Sequence, residues 1–544
     1  MKRLGSLLCG LGVLAGARLA LADQRVDGCV NVQDYLAVGD DMNDDTVPIQ
    51  NAINAALMSD EHAVCIPGGI YKIVLGSGDS TIFDLGGATN FEIVGEGTAA
   101  VLRVHASDGM ASDWNVFALG DGTSGVRFTD FAIDLEGIAG GTAIFIGDPS
   151  NTSTVSVSDV LIRSMQIIHV AVDAIAVEGG ASGSITDVGI TNSRLADVSG
   201  AAIALRGHAN RVQIAGNYFD QNDGYDVVTL TTTSGAITSL ALIDNVCSRA
   251  GEATQPLSLS IAGTSTYPGD VLISGNALVN GAVSLAYLTR ATLAGNTIFG
   301  DTHLGSTTDV TLGTGVEYAN VLHNSIVRNT CDSGVVLAVG ASGANAQTVS
   351  ITSNFIEKAA SDAGEACNAG DAVSIVASDA IVLDNYVAFA QGDSSTAAIA
   401  IGPSSSAFAR VTAADNAIEG DLSGSSALGD AFYVDAGSGT LADLMIVDNT
   451  ARHTTTGVDF GSSISSISVT PFVGGNSFDG SETSDVTIPV AIHGNNLGPV
   501  ELRGSGDPTT TVGAASLGST YQRTDGGSGT TFYRYAGGGW SPLP

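Results

Sequence analysis

Short apolar segments recur along most of the chain, and many of them end in asparagine, often as Gly-Asn. Within each segment Val, Ile, Leu and Ala alternate with polar residues, which is typical of half-buried β-strands. The asparagines that close these segments are 20 to 33 residues apart, and they are Asn192, Asn217, Asn245, Asn276, Asn296, Asn324, Asn354, Asn385, Asn416, Asn449 and Asn476. Such a repeat predicts a solenoid of stacked coils, each of about 28 residues.

We interpret the repeated asparagines as structural residues. Asparagine tolerates the left-handed backbone region of a tight bend, and its side-chain amide can bond to the coils above and below. Segments without asparagine earlier in the chain show the same strand rhythm, so about 13 coils are expected, each adding ~4.8 Å along the axis. The open end of the first coil needs a cover. Asp45 or Thr46 can cap a short helix there, whose apolar face consists of Ile49, Ile53, Ala56 and Leu57.

The stretch DYLAVGDDMNDDTVPIQNAINAAL (34–57), followed by CIPGGIYKI (65–73), resembles the opening of a known family. This is the pectate-lyase-3 or rhamnogalacturonase/epimerase type of right-handed parallel β-helix, which has a pectin-lyase-like fold. Tyr35 stands where the family has Phe, and Leu36 where it has Gly. The resemblance implies an all-β, right-handed parallel β-helix with an N-terminal capping helix. It is weak for activity, because the catalytic motifs of polygalacturonases, classical pectate lyases and alginate epimerases are absent.

The ends of the chain differ from the repeats. Residues 1–22 combine Lys2 and Arg3, a short apolar run and a small-x-small site before Asp23, which predicts a signal peptide and a secreted, periplasmic or cell-surface protein. Residues 23–497 are assigned to the β-helix. Residues 498–544 resemble a small terminal module of phage tail and bacterial surface proteins. They predict a β-hairpin that caps the last coil, holds a homotrimer together or contacts sugar, with Tyr521 facing Phe532, Tyr533, Tyr535 and Trp540.

The charge of the chain limits the partners that it can bind. The formal net charge is −36, which disfavours nucleic acid and anionic membrane surfaces, and no segment after the leader is a membrane anchor. A polyanionic glycan would need local arginine or bound cations at its binding site.

Export from the cytoplasm permits disulfides between the cysteines. Pairing by neighbouring coils predicts Cys29–Cys65 and Cys331–Cys367, with Cys247 left as a buried thiol.

Aligning the repeats places residues of successive coils above one another. Ser164, Asn192 and Asn217 share one column, and Ile175, Ile203 and Val228 share another. In the strand that follows, alternate residues face outward over a floor of small side chains. One rim of this groove would carry His169, Asp173, Asp197, Asp223 and Asp226, and the other Glu178, Arg206 and His208. Phe145 and Thr229 are predicted to contact substrate.

Acids, histidine and arginine along a shallow groove suit two mechanisms on a polysaccharide. In a glycoside hydrolase, two carboxylates act as general acid and as base or nucleophile. In a lyase, a cation neutralises a uronate carboxylate and a base removes the adjacent proton. Arg206 favours the lyase, with His169, Asp173, Glu178, Asp197, Arg206 and His208 as catalytic candidates. A plain salt bridge between Glu178 and Arg206, and hydrogen-bonded turns at His169 and Asp197, are the structural alternatives.

A calcium site is a further hypothesis. The sequence DQNDGYD (220–226) concentrates oxygen ligands around a glycine, and Asp220, Asp223 and Asp226 would bind the ion, although the spacing departs from that of an EF-hand. The alternative to an enzyme is a non-catalytic, adhesive glycan-binding rod. The scarcity of lysine and aromatic residues and the C-terminal module favour that alternative, and the later coils are interpreted as spacer.

Overall fold

Three long parallel sheets form the body of the molecule in the computed structural model. The structure describes residues 28–106, 111–147, 154–179, 183–220, 227–231, 238–248, 257–262, 269–279, 281–300, 308–313, 315–328, 335–340, 346–358, 370–390, 396–402, 410–420, 428–434, 440–441, 443–460, 466–467, 472–474, 476–479, 484–487, 501–504, 507–511, 520–523, 532–536 and 538–543. The predicted signal peptide, residues 1–22, lies outside these ranges.

Each coil contributes one strand to each sheet. Sheet A has 16 strands: Val30–Asn31, Ala63–Ile66, Glu92–Gly95, Ser124–Thr129, Ser156–Arg163, Ser184–Thr191, Ala209–Ala215, Leu240–Ile243, Gly269–Ser274, Leu288–Ala294, Tyr318–Leu322, Ala346–Thr352, Ala377–Leu383, Arg410–Ala414, Asp443–Val447 and Phe472–Gly474. Sheet B also has 16: Asp40–Asp44, Gly69–Val74, Ala100–His105, Ala132–Asp134, Gln166–Val170, Arg194–Val198, Tyr218–Asp220, Val246–Ser248, Ala277–Val279, Thr297–Gly300, Ser325–Arg328, Phe355–Lys358, Tyr386–Phe389, Ala417–Glu419, Thr450–Arg452 and Ser477–Asp479.

Sheet C has 15 strands: Thr81–Asp84, Trp114–Leu119, Gly141–Gly147, Ile175–Gly179, Ile203–Gly207, Val228–Thr231, Leu257–Ala262, Gly281–Ala286, Val310–Leu312, Leu337–Val339, Val373–Ile375, Ala397–Ile401, Leu428–Val434, Thr454–Phe460 and Ser484–Thr487. Two short strands, Thr440–Leu441 and Ser466–Ile467, pair outside the three sheets. The predicted parallel β-helix is therefore confirmed. Sheets A and B have 16 strands each, more than the about 13 coils expected.

Alternation along each strand builds one continuous core. In the strand Ile175–Gly179 the side chains of Ile175 and Val177 are buried, and so are Ile203 and Leu205 one coil later. Residues at equivalent positions pair directly, with Ile175 beside Ile203 and Ile203 beside Val228. The predicted column of these three residues is thus confirmed, and every inward position of a coil packs on its vertical neighbours.

A ladder of buried asparagines runs through the turn between sheets A and B. In each step the Nδ2 and the backbone N of one asparagine donate to Oδ1 of the next, as from Asn217 to Asn245 at 3.0 Å for both bonds. The ladder consists of Asn217, Asn245, Asn276, Asn296, Asn324, Asn354, Asn385, Asn416, Asn449 and Asn476. Their predicted structural role is confirmed, because these bonds satisfy amides that would otherwise be buried without partners.

Two details of the ladder differ from the prediction. Asn192 is not a member: Ser193 occupies the position, and its backbone N donates to Oδ1 of Asn217 at 2.9 Å. The predicted column of Ser164, Asn192 and Asn217 was therefore shifted by one residue at its last member. The left-handed backbone also falls on the residue before the ladder, as at Asp244 with φ 53° and Gly275 with φ 68°. The ladder asparagines form hydrogen bonds with their neighbours, and the residue before each of these two asparagines has the left-handed backbone of the bend.

The N-terminal cover is an α-helix, Thr46–Met58, that follows a 3₁₀ turn, Val32–Tyr35. The helix buries Ile49, Ala52, Ile53 and Ala56, while Leu57 is partly buried against the core. The predicted capping bond is absent. The buried Asp45 carboxylate instead accepts from the backbone N of Val38 at 2.6 Å and of Gly39 at 3.1 Å. Burial raises the pKa of Asp45, against the effect of these two bonds. A second 3₁₀ turn spans Gly97–Ala99.

The C-terminal region forms a separate four-stranded sheet of Glu501–Gly504, Thr520–Arg523, Phe532–Tyr535 and Trp540–Pro542, with a short helix at Pro508–Thr511. The last three strands are antiparallel, and Tyr521 pairs with Tyr533 as the hairpin prediction requires. Tyr521, Tyr533 and Trp540 are buried together, with Tyr535 against the indole. Phe532 is 49% exposed and lies outside this cluster, contrary to the expectation.

The cysteines follow the prediction where they are described. Cys29, just before the first strand of sheet A, forms a disulfide with Cys65 in the second strand. Cys247 is a buried free thiol, and burial raises its pKa. The predicted partners Cys331 and Cys367 lie outside the described residues. No helix within the described ranges has the length and apolarity needed to cross a membrane.

Candidate functional site

The outer face of sheet C carries the predicted substrate-contacting residues on adjacent strands. Phe145 pairs with Ala176, Ala176 with Ala204, and Ala204 with Thr229, so these four side chains form one column. Phe145 is only 5% exposed, and Ala176 and Ala204 are buried as well. The predicted floor of small side chains is present, but Phe145 offers little surface to a ligand.

Beside Phe145 lies a cleft of about 300 Å³ that contains three of the predicted catalytic residues. Arg206 joins them: its Nη2 donates to Oδ2 of Asp173 at 2.5 Å, and its Nη1 donates to Oε1 of Glu178. Asp173 also accepts from the backbone N of Ala201 at 2.9 Å. Asp173 and Arg206, which were predicted on opposite rims, are therefore in direct contact. The predicted salt bridge between Glu178 and Arg206 is present.

These contacts determine the protonation state of Arg206. Burial alone would lower its pKa, but the charges and hydrogen bonds of Asp173 and Glu178 outweigh burial and raise it. The guanidinium is therefore a permanent cation, and two carboxylates neutralise it. It cannot act as a base, and a uronate carboxylate would have to displace one of its partners.

His169 and Asp197 lie in a second cleft, of about 680 Å³, at the carboxyl ends of two neighbouring strands of sheet B. His169 Nδ1 is 2.8 Å from Oδ1 of Asp134, and its Nε2 is 3.6 Å from Oδ2 of Asp197. Asp134 is also bonded to Arg103, which contacts Asp41 at 2.8 Å. Acidic and basic groups thus alternate along this edge. His169 and Asp197 are not among the residues that line the cleft of Arg206.

Two other predicted site residues, His208 and Asp220, line neither of these clefts. His208 follows the strand end, where its backbone bonds to Gly179 and Ile185. Asp220 has Oδ2 3.4 Å from Nη2 of Arg194, which gives it a cationic neighbour. Asp223 and Asp226 lie outside the described residues, so the calcium site stays a prediction. Within the described ranges, no group of three or more His, Cys, Asp or Glu residues is arranged to hold a metal ion.

The outward column of sheet C continues as a floor of small side chains over nine strands. Its members are Ala176, Ala204, Thr229, Ser260, Ser284, Thr311, Ala338, Ser374 and Ala400. Phe145 precedes this floor and Tyr433 follows it. Because neighbouring strands are about 4.8 Å apart, the floor is roughly 40 Å long. Only the first three members of this floor were predicted from the sequence.

At the far end of the floor lies an acidic pair that the sequence analysis missed. Asp430 is on the strand Leu428–Val434, and Asp459 pairs with Tyr433 on the next strand. Burial raises the pKa of Asp430 to about 6, and the charges of Asp459 and Asp371 add to the rise, while a bond from Thr456 opposes it. Two carboxylates in unlike surroundings are the arrangement that separates a proton donor from a base.

No protein-family model and no curated protein matches the sequence. A mutant tailspike of E. coli bacteriophage HK620, solved in complex with a pentasaccharide, is 12% identical; the match covers 87% of this chain and 81% of the tailspike chain, with a TM-score of 0.50. The catalytic unit of a GH87 α-1,3-glucanase from Streptomyces thermodiastaticus is 18% identical, with coverage of 83% and 69% and a TM-score of 0.44. The A-module of a mannuronan C-5 epimerase from Azotobacter vinelandii is 15% identical, with coverage of 83% and 94% and a TM-score of 0.36.

The chain therefore has the fold of the parallel β-helix proteins. At 12% identity the match with the tailspike concerns the fold alone. The pectate-lyase-3 type of family remains a resemblance of the N-terminal motif.

Proposed function

We propose that this protein is a polysaccharide-active β-helix protein that binds a linear glycan along the outer face of sheet C and hydrolyses it. The observation that carries the proposal is the floor from Ala176 to Ala400. It is long and narrow, it has hydroxyl groups at intervals, and charged side chains lie beside both ends. An extended polymer matches this shape better than a compact ligand does. The tailspike that shares the fold was solved with a pentasaccharide, which agrees with the proposal.

In the proposed reaction Asp430 donates a proton to the glycosidic oxygen. A carboxyl group whose pKa is about 6 is still protonated in mildly acidic solution, as a general acid requires. Asp459 acts as the base or the nucleophile, and Tyr433, on the strand of Asp430 and paired with Asp459, contacts the sugar ring. Asp173, Glu178 and Arg206 bind the glycan at the other end. The ion pairs of Arg206 remove the reason for preferring a lyase, because the cation that would accept a uronate is already neutralised.

Turnover distinguishes the mechanisms. The protein is incubated with a panel of neutral and uronate glycans, and the products are measured as reducing ends and as ultraviolet absorbance of unsaturated sugars. Hydrolysis yields reducing ends alone, and Asp430→Asn abolishes them while glycan binding persists. Unsaturated products would instead establish the lyase. If no glycan of the panel is turned over or bound, the proposal is refuted.

The second candidate is a non-catalytic glycan-binding rod. It is favoured by the ion pairs of Arg206, which hold Asp173 and Glu178 in fixed positions and suit them to binding. Binding without products of either kind would establish this candidate. Calorimetric titration with calcium, in the same preparation, tests the predicted calcium site in the sequence 220–226.

Secretion and assembly complete the proposal. We infer export with cleavage before Asp23, which N-terminal sequencing of the secreted product would show. The C-terminal sheet buries Tyr521, Tyr533 and Trp540 against one another within one chain, so we infer that it caps the solenoid. A homotrimer in analytical ultracentrifugation would give this sheet an additional role in assembly.

A further inference from the structure

Two aromatic side chains stack on the outer face of sheet B, far along the solenoid from the cleft of Arg206. Phe355 and Tyr386 pair on adjacent strands, and their ring centroids are 5.3 Å apart with an interplanar angle of 15°. They are 39% and 37% exposed, so the stack lies at the surface. The register of the strands aligns the rings, since strand separation is close to a stacking distance.

The stack stops at the next coil. The position after Tyr386 in this column is Ala417, and Thr450 follows it. A cleft of about 290 Å³ lies there, with Tyr386 as one wall and Ala417 and Thr450 below. A flat ring placed against Tyr386 would sit at the level of Ala417 and extend the stack by one unit.

The edge of this cleft is polar. Glu419 lies beside Ala417 on the same strand, and Arg452 pairs with Glu419 on the next strand. His453 Nδ1 is 2.5 Å from Oε1 of Glu419, which holds the carboxylate in place. Burial and the charges of Glu419 and Glu357 raise the pKa of Tyr386, so its ring stays neutral.

These features select one class of ligand. A pyranose ring has an apolar face of C–H groups, which the negative face of an aromatic ring attracts, and a rim of hydroxyls that carboxylate and guanidinium groups bind. The net negative charge of the chain disfavours anionic sugars and phosphorylated ligands. We propose that the cleft beside Tyr386 is a second glycan-binding site, which takes a neutral hexose unit stacked on the tyrosine ring.

The test uses the full chain with neutral gluco-, manno- and galacto-configured hexasaccharides as probes, and binding is measured by calorimetry. At least one probe is expected to bind, and Tyr386→Ala is expected to lower the affinity of binding at this site at least tenfold. Ala417→Phe fills the cleft with a ring and should abolish it. Tyr218→Ala is the matched control, because Tyr218 occupies the same column, is 39% exposed and pairs with Arg194 and Val246.

Failure of this proposal is distinguishable from failure of the proposed function. Tyr433→Ala changes the outer face of sheet C alone and should leave the Tyr386 component unchanged. If no probe binds, or if Tyr386→Ala and Ala417→Phe bind as the unaltered protein does, the second site is refuted. Unchanged thermal unfolding of both variants confirms that each is folded.

Discussion

Tyr433 and Asp459 are vertical neighbours on sheet C, and together they end a column that is otherwise alanine, serine or threonine from Ala176 onward. A small side chain leaves room above the strand, whereas a tyrosine closes that room and presents a ring to whatever lies in it. The acidic pair of Asp459 and Asp430 therefore stands where a bound chain would meet its first large side chain. This relationship locates the proposed chemistry.

Asp430 makes stability depend on pH. Its pKa in the folded protein is about 6, above the ordinary value of 3.8, so the folded state holds the proton more tightly than the unfolded chain does. The associated stability is complete below about pH 4 and is lost as the pH rises through 6. Asp430→Asn should therefore be more stable than the unaltered protein at pH 7, by about 1 kcal/mol after solvent screening, and nearly equal at pH 4.

Guanidinium denaturation at the two pH values measures this effect. Asp415→Asn is the control, since Asp415 is an exposed carboxyl at a bend. A difference between Asp430→Asn and the unaltered protein that does not change with pH would contradict the assignment.

The asparagine ladder should be costly to interrupt. Asn324 donates from Nδ2 to Asn354 at 2.9 Å and to the carbonyl of Leu293 at 3.0 Å, and its Oδ1 accepts two bonds from Asn296. Asn324→Ala leaves buried partners unsatisfied and should lower the free energy of unfolding by about 3 kcal/mol or more. Asn192→Gly alters an asparagine outside the ladder and keeps its left-handed backbone, so a loss below ~1 kcal/mol is expected. Equal losses would refute the structural role of the ladder.

Arg206 and Arg211 provide a matched comparison of ion pairs. Arg211 binds Asp187 through two bonds of 2.5 Å on an exposed surface, whereas Arg206 bridges two carboxylates in a cleft. Arg206→Ala should cost about 1 kcal/mol and weaken glycan binding, because two acids lose their shared partner. Arg211→Ala should cost less stability than Arg206→Ala, because water and salt screen an exposed ion pair, and should leave binding unchanged. Thermal unfolding and calorimetry report both quantities, and equal behaviour of the two variants would contradict the placement of the binding site.

The disulfide should matter because it closes the first coil. Cys29 and Cys65 are 36 residues apart in sequence, and a cross-link of this span stabilises a protein by about 3–4 kcal/mol. The double variant Cys29→Ser, Cys65→Ser should unfold at a correspondingly lower denaturant concentration. An unchanged midpoint would show that the helix Thr46–Met58 holds this end without the covalent link.

The periodic part of the fold could be predicted from the sequence for a physical reason. A ladder needs one amide per coil, so asparagine spacing reveals the register. Ser193 escaped notice because the backbone N–H bonded to Asn217 does not depend on the side chain at that position. The stack of Phe355 and Tyr386 could have been found, since each residue directly follows a ladder asparagine.

The candidate site was less predictable. Asp173 and Arg206 are 33 residues apart and meet only through the ends of their side chains, which no spacing rule reveals. Asp430 follows a connection whose length varies from coil to coil, so its alignment with Ala397 and Thr456 required the structure. Its raised pKa depends on burial, which one strand of sequence does not show.

The dependence of affinity on glycan length tests the central claim most directly. Neutral oligosaccharides of increasing length are titrated against the full chain, with Tyr433→Ala in parallel. If a linear glycan lies along sheet C, affinity should rise steadily with glycan length until the roughly 40 Å floor is filled. Tyr433→Ala should lower the affinity for long oligosaccharides at least tenfold. Affinity that is independent of length, or unaffected by Tyr433→Ala, would contradict the account.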